Sequence, residues 1–252
     1  MKVFTNGCVS PELLSALKRI LVPNRTMFLV NVNQPAQRTD GEDGKQQAFF
    51  ETFSGLCGLS CNIYEPGMDF GFLIDHIERY KLRRKIRMGL AHPLVGEPNS
   101  HLDTSSFPEV ARRIVEFVSR CDRHGITVSL DCGFTLCDFT DEQLGIMTRA
   151  QTSMKFICDP IIDIGPDLRI WACLPLSNVA PRPLAEFSDM TAAIVHFREL
   201  VNRVTDRHGF YGLYPECRTC KYRQRGTCVG GYRTRAFTGD GQCSSATVVK
   251  KP

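Results

Sequence analysis

Short apolar runs and amphipathic stretches alternate along the first 150 residues. The apolar runs predict five strands, at Lys2–Thr5, Met27–Asn33, Leu59–Tyr64, Lys85–His92 and Thr127–Phe134. Helical patterns lie between them, at Pro11–Leu21, Lys45–Cys57, Phe70–Leu82 and Phe107–His124. Strands that alternate with helices favour βαβ units around a parallel sheet, so we expect an α/β region here.

The pattern changes after residue 150. Asp167–Cys173 alternates like a strand, and Asp163–Pro166 before it is typical of a turn, so we expect a hairpin. One helix is expected over Leu184–His208. The glycine-rich tail that follows has too few apolar residues for a core of its own, and bound metal would stabilise it. We therefore expect two domains, at 1–150 and 151–252.

Composition narrows the class of protein. An apolar content of 42% and a charged content of 23% are those of a soluble globular chain. No window holds about 18 uncharged apolar residues, so we expect no membrane span. The first residues show no signal peptide, which favours a cytoplasmic location. The net charge of +4 is too small to indicate a nucleic-acid partner.

Twelve cysteines are the exceptional feature of the composition. In a reducing cytoplasm, thiols stay free or bind metal. The tail carries Cys217-x2-Cys220-x7-Cys228, followed by Cys243. The x2 spacing lets two thiolates from one turn reach the same metal, and a loop that folds back supplies the others. Soft thiolates suit an iron–sulfur cluster or zinc and exclude calcium and magnesium. Inert buried thiols or a redox pair are the alternative.

The chain resembles radical-SAM proteins that carry a SPASM domain. Besides the cysteine pattern, Phe4-Thr5-Asn6-Gly7 followed by Ser10–Leu14 resembles the strand-to-helix step at the third barrel strand of such enzymes. The resemblance implies a partial parallel (β/α) barrel of four to five units followed by a small α+β cysteine-rich metal-binding domain. It also implies that two βα units are missing, so we expect a fragment, a split gene product or a degenerate relative.

The same resemblance implies two groups of metal-binding cysteines. One group flanks the hairpin and the other holds a complete 4Fe-4S cluster, with zinc as the alternative metal. The hairpin pair is Cys158 and Cys173, and the cluster ligands are Cys217, Cys220, Cys228 and Cys243.

The chain departs from the SPASM pattern at two places. The spacing before Cys228 is x7, where the family usually has x5. Tyr232 stands where the family has a further cysteine, which serves the cluster of the hairpin pair. Cys132 or Cys137 could replace that ligand, although Cys132 could equally pack in a buried strand. The resemblance thus implies one complete site and one incomplete site.

Radical-SAM chemistry begins at a cluster held by C-x3-C-x2-C, and the chain contains no such motif. Cys57-x3-Cys61 has Tyr64 at the third position, and we interpret it as a coincidence. We therefore expect that this chain alone does not cleave S-adenosylmethionine. S-adenosylmethionine would be a cofactor only if a partner chain supplies the missing N-terminal half of the barrel.

The active site of a βα barrel lies at the carboxyl ends of its strands. Asn33, Asn62 and Arg87 lie at or near such ends and are candidates for binding S-adenosylmethionine or substrate. The alternative is that the asparagines cap the transitions from strand to loop. No catalytic residue is identified.

The resemblance implies the C-terminal part of an iron–sulfur protein that takes part in radical modification of a peptide or protein. Its auxiliary cluster would bind substrate or relay electrons. Two alternatives stay open at this point. One is a non-enzymatic zinc- or cluster-binding module, and the other is a catalytically inactive scaffold that docks a partner.

Overall fold

The computed structural model describes residues 2–21, 26–37, 39, 41–131, 133–158, 161–207, 209 and 211–238. The chain divides into two compact units. The first consists of Met1–Leu90, Ser105–Asp131 and Cys137–Met154, and the second of Ala91–Thr104, Cys132–Leu136 and Lys155–Pro252. The second unit thus takes in two short segments from the first 150 residues.

Five parallel strands form the sheet of the first unit, in the order β1-β2-β3-β4-β5. The strands are β1 Lys2–Thr5, β2 Met27–Asn31, β3 Cys57–Ile63, β4 Lys85–Leu90 and β5 Thr127–Leu130. The helices are α1 Pro11–Ile20, α2 Glu42–Phe53, α3 Gly71–Tyr80, α4 Phe107–Arg123 and α5 Asp141–Arg149. Each strand pairs with the next one along the chain, which confirms the α/β architecture built on βα units.

Side-chain caps fix the starts of two helices. Ser10 accepts a hydrogen bond from the Leu13 amide at 3.3 Å, and Pro11 occupies the first helical position of α1. At α5, Thr140 and Gln143 form a capping box in which each side chain accepts the other's amide N–H. The sequence prediction missed α5, because its only buried side chain is Met147 and it has no apolar stripe.

Several predicted boundaries were wrong by a few residues. β2 ends at Asn31, so Asn33 lies two residues beyond the strand. α2 ends at Phe53 and a 3-10 turn follows, which places Cys57 in β3 rather than at a helix end. β5 ends at Leu130 although the apolar run continues to Phe134. An apolar run shows where a chain is buried, whereas a strand ends where its neighbours stop pairing.

The two faces of this sheet differ in chemistry, because side chains of a strand alternate between faces. One face is apolar, and on it the Phe28 ring lies 4.9 Å from Phe49 and 5.1 Å from Phe53 of α2. Its other buried side chains include Val30, Cys57, Leu59, Cys61, Ile63, Ile86, Met88, Leu90, Val128 and Leu130. The opposite face carries smaller and polar residues, among them Asn31, Ser60, Asn62, Arg87 and Ser129.

The second unit contains a three-stranded antiparallel sheet and three helices. They are β6 Asp163–Ile164, β7 Arg169–Trp171, β8 Arg182–Pro183, α6 Met190–Arg207, α7 Lys221–Gln224 and α8 Arg235–Thr238. Its small core consists of Ile170, Ala172, Leu176, Ala193, Phe197 and Val201. No described helix in either unit is both long enough and apolar enough to cross a membrane.

The predicted hairpin is confirmed, with its turn two residues later than expected. The Gly165 amide donates to the Arg169 carbonyl at 2.8 Å, and the Leu168 amide donates to the Gly165 carbonyl at 3.0 Å. The helix that follows begins at Met190 rather than at Leu184, because Leu184–Glu186 forms a 3-10 turn. Its predicted end at His208 lies outside the described residues.

Candidate functional site

Three tail cysteines lie in or beside two short turns. Cys217 lies in the 3-10 turn Pro215–Arg218, and Cys220 lies directly before α7. After α7 the chain reverses, and the Thr227 and Cys228 amides donate back to the Tyr222 carbonyl at 2.9 and 3.3 Å. This reversal returns the backbone of Cys228 to the start of α7, which directly follows Cys220.

The electrostatics of Cys217 reflect this arrangement. Burial raises the pKa of the Cys217 thiol, and the nearby thiols of Cys228 and Cys220 raise that pKa further. A backbone hydrogen bond at Tyr214 and the Arg223 guanidinium act in the opposite direction. Each of the other two thiols therefore lies close enough to Cys217 to influence its ionisation.

Two glycines leave room for these sulfurs. Gly212 and Gly230 have φ values of +149° and +81°, and the Leu213 amide donates to the Gly230 carbonyl at 2.8 Å. A Cβ on Gly212 would lie 2.5 Å from Cys217 Sγ, and a Cβ on Gly230 would lie 2.7 Å from the Gly212 Cα. No larger residue fits either position without movement of the backbone.

The Gly230 amide also donates to Cys228 Sγ at 3.3 Å. Amide hydrogen bonds to sulfur stabilise thiolates and tune the clusters that thiolates hold. The donor chemistry of this site therefore fits a thiolate-bound metal group. Among the described residues, however, no three His, Cys, Asp or Glu side chains are arranged to hold a metal ion. Cys243, the fourth expected ligand, lies outside the described residues.

The hairpin pair lies at one end of the small sheet. Cys158 precedes β6 and Cys173 follows β7, so the antiparallel pairing places both at the open end of the hairpin. Burial, with smaller contributions from the charges of Cys158 and Asp163, raises the pKa of Cys173 to about 12. Cys173 has φ +81° and ψ 151°, a conformation that is otherwise almost restricted to glycine. Among the described residues, no disulfide is formed.

Tyr232, which stands where the family has a further cysteine, packs against a histidine ring. The Tyr232 ring is buried and lies 4.3 Å from the His92 ring, tilted by 38°. Trp171 packs on its own turn, where a Cβ on Gly165 would lie 2.7 Å from the indole ring. Cys137 is exposed, and Cys132 lies outside the described residues.

A second group of polar side chains lies toward the carboxyl edge of the parallel sheet, although Arg87 itself is the third of the six residues of β4. Arg87 of β4 forms an ion pair with Asp131, which follows β5. The exposed Asn62 of β3 pairs in register with Gly89, where a Cβ would lie 3.5 Å from both Asn62 Oδ1 and Asp131 Cβ. The space above Gly89, which has no side chain, is therefore bordered by Arg87, Asn62 and Asp131. In open parallel sheets this edge is where ligands bind.

Asn33, the third predicted residue of this group, lies two residues beyond β2. Its Oδ1 accepts a hydrogen bond from Nδ2 of the Asn31 side chain at 3.4 Å, so Asn33 remains near the end of the strand. Asp131 was not predicted from the sequence. The signal was present, because Asp131 follows an apolar strand segment in the same way that Asn33 does.

Cys57 and Cys61 belong to the packed interior rather than to this edge. Both project from β3 into the apolar face of the sheet, and burial raises the pKa of each to about 12. Protonated buried thiols are poor metal ligands and poor nucleophiles. Their burial supports the interpretation that the C-x3-C spacing is a coincidence.

Neither the known protein-family models nor the curated proteins give a match to this chain. Any functional assignment therefore rests on the chain's own residues.

Proposed function

We propose that this chain is part of a radical-SAM protein of the SPASM type that takes part in radical modification of a peptide or protein. The observation that carries the proposal is that Cys220 and Cys228 both lie near enough to Cys217 to raise the pKa of its thiol, while two glycines leave room for the Cys217 side chain. Thiols grouped in this way are what a cluster-binding tail requires.

Cys217, Cys220 and Cys228, together with Cys243, would hold a 4Fe-4S cluster. When bound, this group would supply an electron relay or a site for substrate. The chain's own contribution is to stabilise thiolates, through the Gly230 amide at Cys228 and the Arg223 guanidinium near Cys217. Zinc is the alternative metal, because it accepts the same four thiolates.

The sheet of the first unit supports a partial barrel. Phe4 of β1 lies under the guanidinium of Arg87 of β4, with 5.4 Å between Cζ and the ring centroid. Adjacent strands are about 4.8 Å apart, so a flat sheet would separate β1 from β4 by about 14 Å. Contact across two intervening strands favours a sheet curled around its polar face.

This polar face would be the ligand-binding face of the barrel. Arg87 would bind a carboxylate of S-adenosylmethionine or of the substrate, and Asn62 would donate to or accept from a neighbouring polar group. Asp131 would hold the Arg87 guanidinium in place. We propose that the initiating cluster is bound outside these 252 residues, because they contain no C-x3-C-x2-C motif.

Metal content tests the proposal most directly. The full chain purified without oxygen should contain about four irons and four sulfides per complete site and should be brown. Cys220→Ser should lower the iron content, whereas Cys8→Ser, at a half-buried cysteine outside the site, should leave it unchanged. Stoichiometric zinc with a colourless protein would instead establish the non-enzymatic zinc module.

A further inference from the structure

A small cleft lies beside Cys228 in the second unit. It encloses about 180 Å³ and is lined by Asn202, Thr205, Asp206, Arg223, Cys228 and Arg233, among others. Pockets for drug-sized ligands enclose about 300–1,000 Å³. This cleft is therefore large enough for one side chain of a partner and too small for a nucleotide.

The cleft walls carry two guanidinium groups. Arg233 donates to Asn202 Oδ1, a contact that fixes the orientation of its guanidinium and leaves its other N–H donors available. In the described part of the chain, no carboxylate forms an ion pair with Arg233. The Arg223 guanidinium lies over the Tyr211 ring, with 5.4 Å between Cζ and the centroid. Among the described residues that line the cleft, Arg223 and Arg233 carry positive charges and Asp206 carries a negative charge.

We propose that this cleft binds a carboxylate of the peptide substrate, supplied by an acidic side chain. The planar guanidinium of Arg233 matches a carboxylate in a two-point hydrogen bond, and Arg223 adds a second positive charge. That the ligand is a peptide rests on the proposed function. That the bound group is a carboxylate follows from the arginines of the cleft.

Asp206 opposes the binding of anions. Its carboxylate lies at the exposed rim of the cleft and repels an incoming negative charge. Removal of this charge should therefore strengthen the binding of a carboxylate in the cleft.

The test is a titration of the full chain with the capped tripeptide acetyl-Ala-Glu-Ala-amide. Binding is monitored by ligand-detected NMR. The glutamine peptide and inorganic phosphate are the comparison ligands. Loss of a two-point charged hydrogen bond is worth about tenfold or more in affinity. We expect the glutamate peptide to bind at least about tenfold more tightly than the glutamine peptide.

Three variants make the test specific to the cleft. Arg233→Gln should abolish the preference for glutamate, and Asp206→Asn should strengthen glutamate binding, a gain that misfolding cannot produce. Arg225→Gln removes the same charge from an exposed arginine outside the cleft and should change little. Equal binding of both peptides, tighter binding of phosphate, or equal losses in Arg233→Gln and Arg225→Gln would overturn the proposal. Iron content measured on the same samples reports separately on the proposed function.

Discussion

Cysteines in the two units of this protein have opposite surroundings. Cys57, Cys61 and Cys121 of the first unit lie among the apolar side chains of a large core, with their pKa values raised to about 12 by burial. Cys217 and Cys228 of the second unit are also buried, but glycine backbone and other thiols surround them. Burial is therefore common to both groups of cysteines, whereas the neighbours of the sulfur differ.

The difference also concerns what stabilises each region. The first unit has Phe28, Phe49 and Phe53 in mutual contact beneath its sheet, so apolar burial stabilises it. The described tail after α6 has two very short helices and a core contribution from few large side chains. Its stability should depend on whatever the cysteines bind.

Removal of metal should produce the largest effect. Structural metal contributes on the order of 10 kcal/mol to the folding of small cysteine-rich domains, so a chelator should unfold the tail. Trp171, the chain's single tryptophan, lies in the second unit and reports on that unit by fluorescence. We expect chelation to shift the urea midpoint of fluorescence strongly.

Cys121→Ser provides the matched control for this experiment. It makes the same thiol-to-hydroxyl exchange as Cys220→Ser, but on the buried face of α4. Cys121→Ser should lower the stability seen by circular dichroism and leave metal content unchanged. A loss of metal in Cys121→Ser would show that the two classes of cysteine are not distinct.

Alkaline pH should destabilise the first unit. The folded-state pKa values of Cys57, Cys61 and Cys121 are about 12, above the ordinary value of 9.0, so folding favours the protonated thiols. Their contribution is complete below pH 9 and is lost as the pH rises toward 12. Each thiol should lower the free energy of unfolding by about 1.4 kcal/mol per pH unit in this window.

Urea unfolding, monitored by circular dichroism between pH 8 and 10.5, measures how steeply the free energy of unfolding falls with pH. Cys61→Ala removes one of these thiols and should reduce the slope by about 1.4 kcal/mol per pH unit. An unchanged slope in Cys61→Ala would contradict the burial of this thiol in the folded state.

A pair of glycine substitutions tests whether the backbone packs tightly around the tail cysteines. Gly226 and Gly230 both have positive φ, +71° and +81°, so alanine costs about 1–2 kcal/mol at either position. At Gly230 the new Cβ would also lie 2.9 Å from the Tyr211 carbonyl, whereas at Gly226 nothing lies within 4 Å. Gly230→Ala should therefore cost about 3 kcal/mol in total and lower metal content. Equal losses of stability in both variants, measured by Trp171 fluorescence, would exclude tight backbone packing at Gly230.

Loss of one helix cap should produce the smallest effect. Thr140→Ala removes the side chain that accepts the Gln143 amide at the start of α5, at a cost of about 1 kcal/mol. The change should appear in circular dichroism and not in metal content. A change in metal content would show that the first unit influences the cysteine site.

The sequence predicted the alternation of strands and helices because apolar runs and apolar stripes each have a distinctive period. It did not predict the strand ends, such as Asn31 for β2, because these depend on where the neighbouring strand stops pairing. It also missed α5, whose signal is the capping box at Thr140 rather than an apolar stripe.

For the candidate sites, spacing identified Cys217, Cys220 and Cys228 as a group. The close approach of Gly212 to Cys217 could not be predicted, since it depends on an unusual backbone conformation at each glycine. The partnership of Arg87 with Asp131 was equally hidden, because it forms between residues 44 positions apart.

The order of the strands has a consequence for how the protein is made. Each strand of the first unit pairs with the one synthesised just before it, so no strand must wait for a distant segment to emerge from the ribosome. The sheet can therefore grow by one βα unit at a time during translation. Ribosome-bound chains stalled after β3 should already protect the amides of β2 from hydrogen exchange.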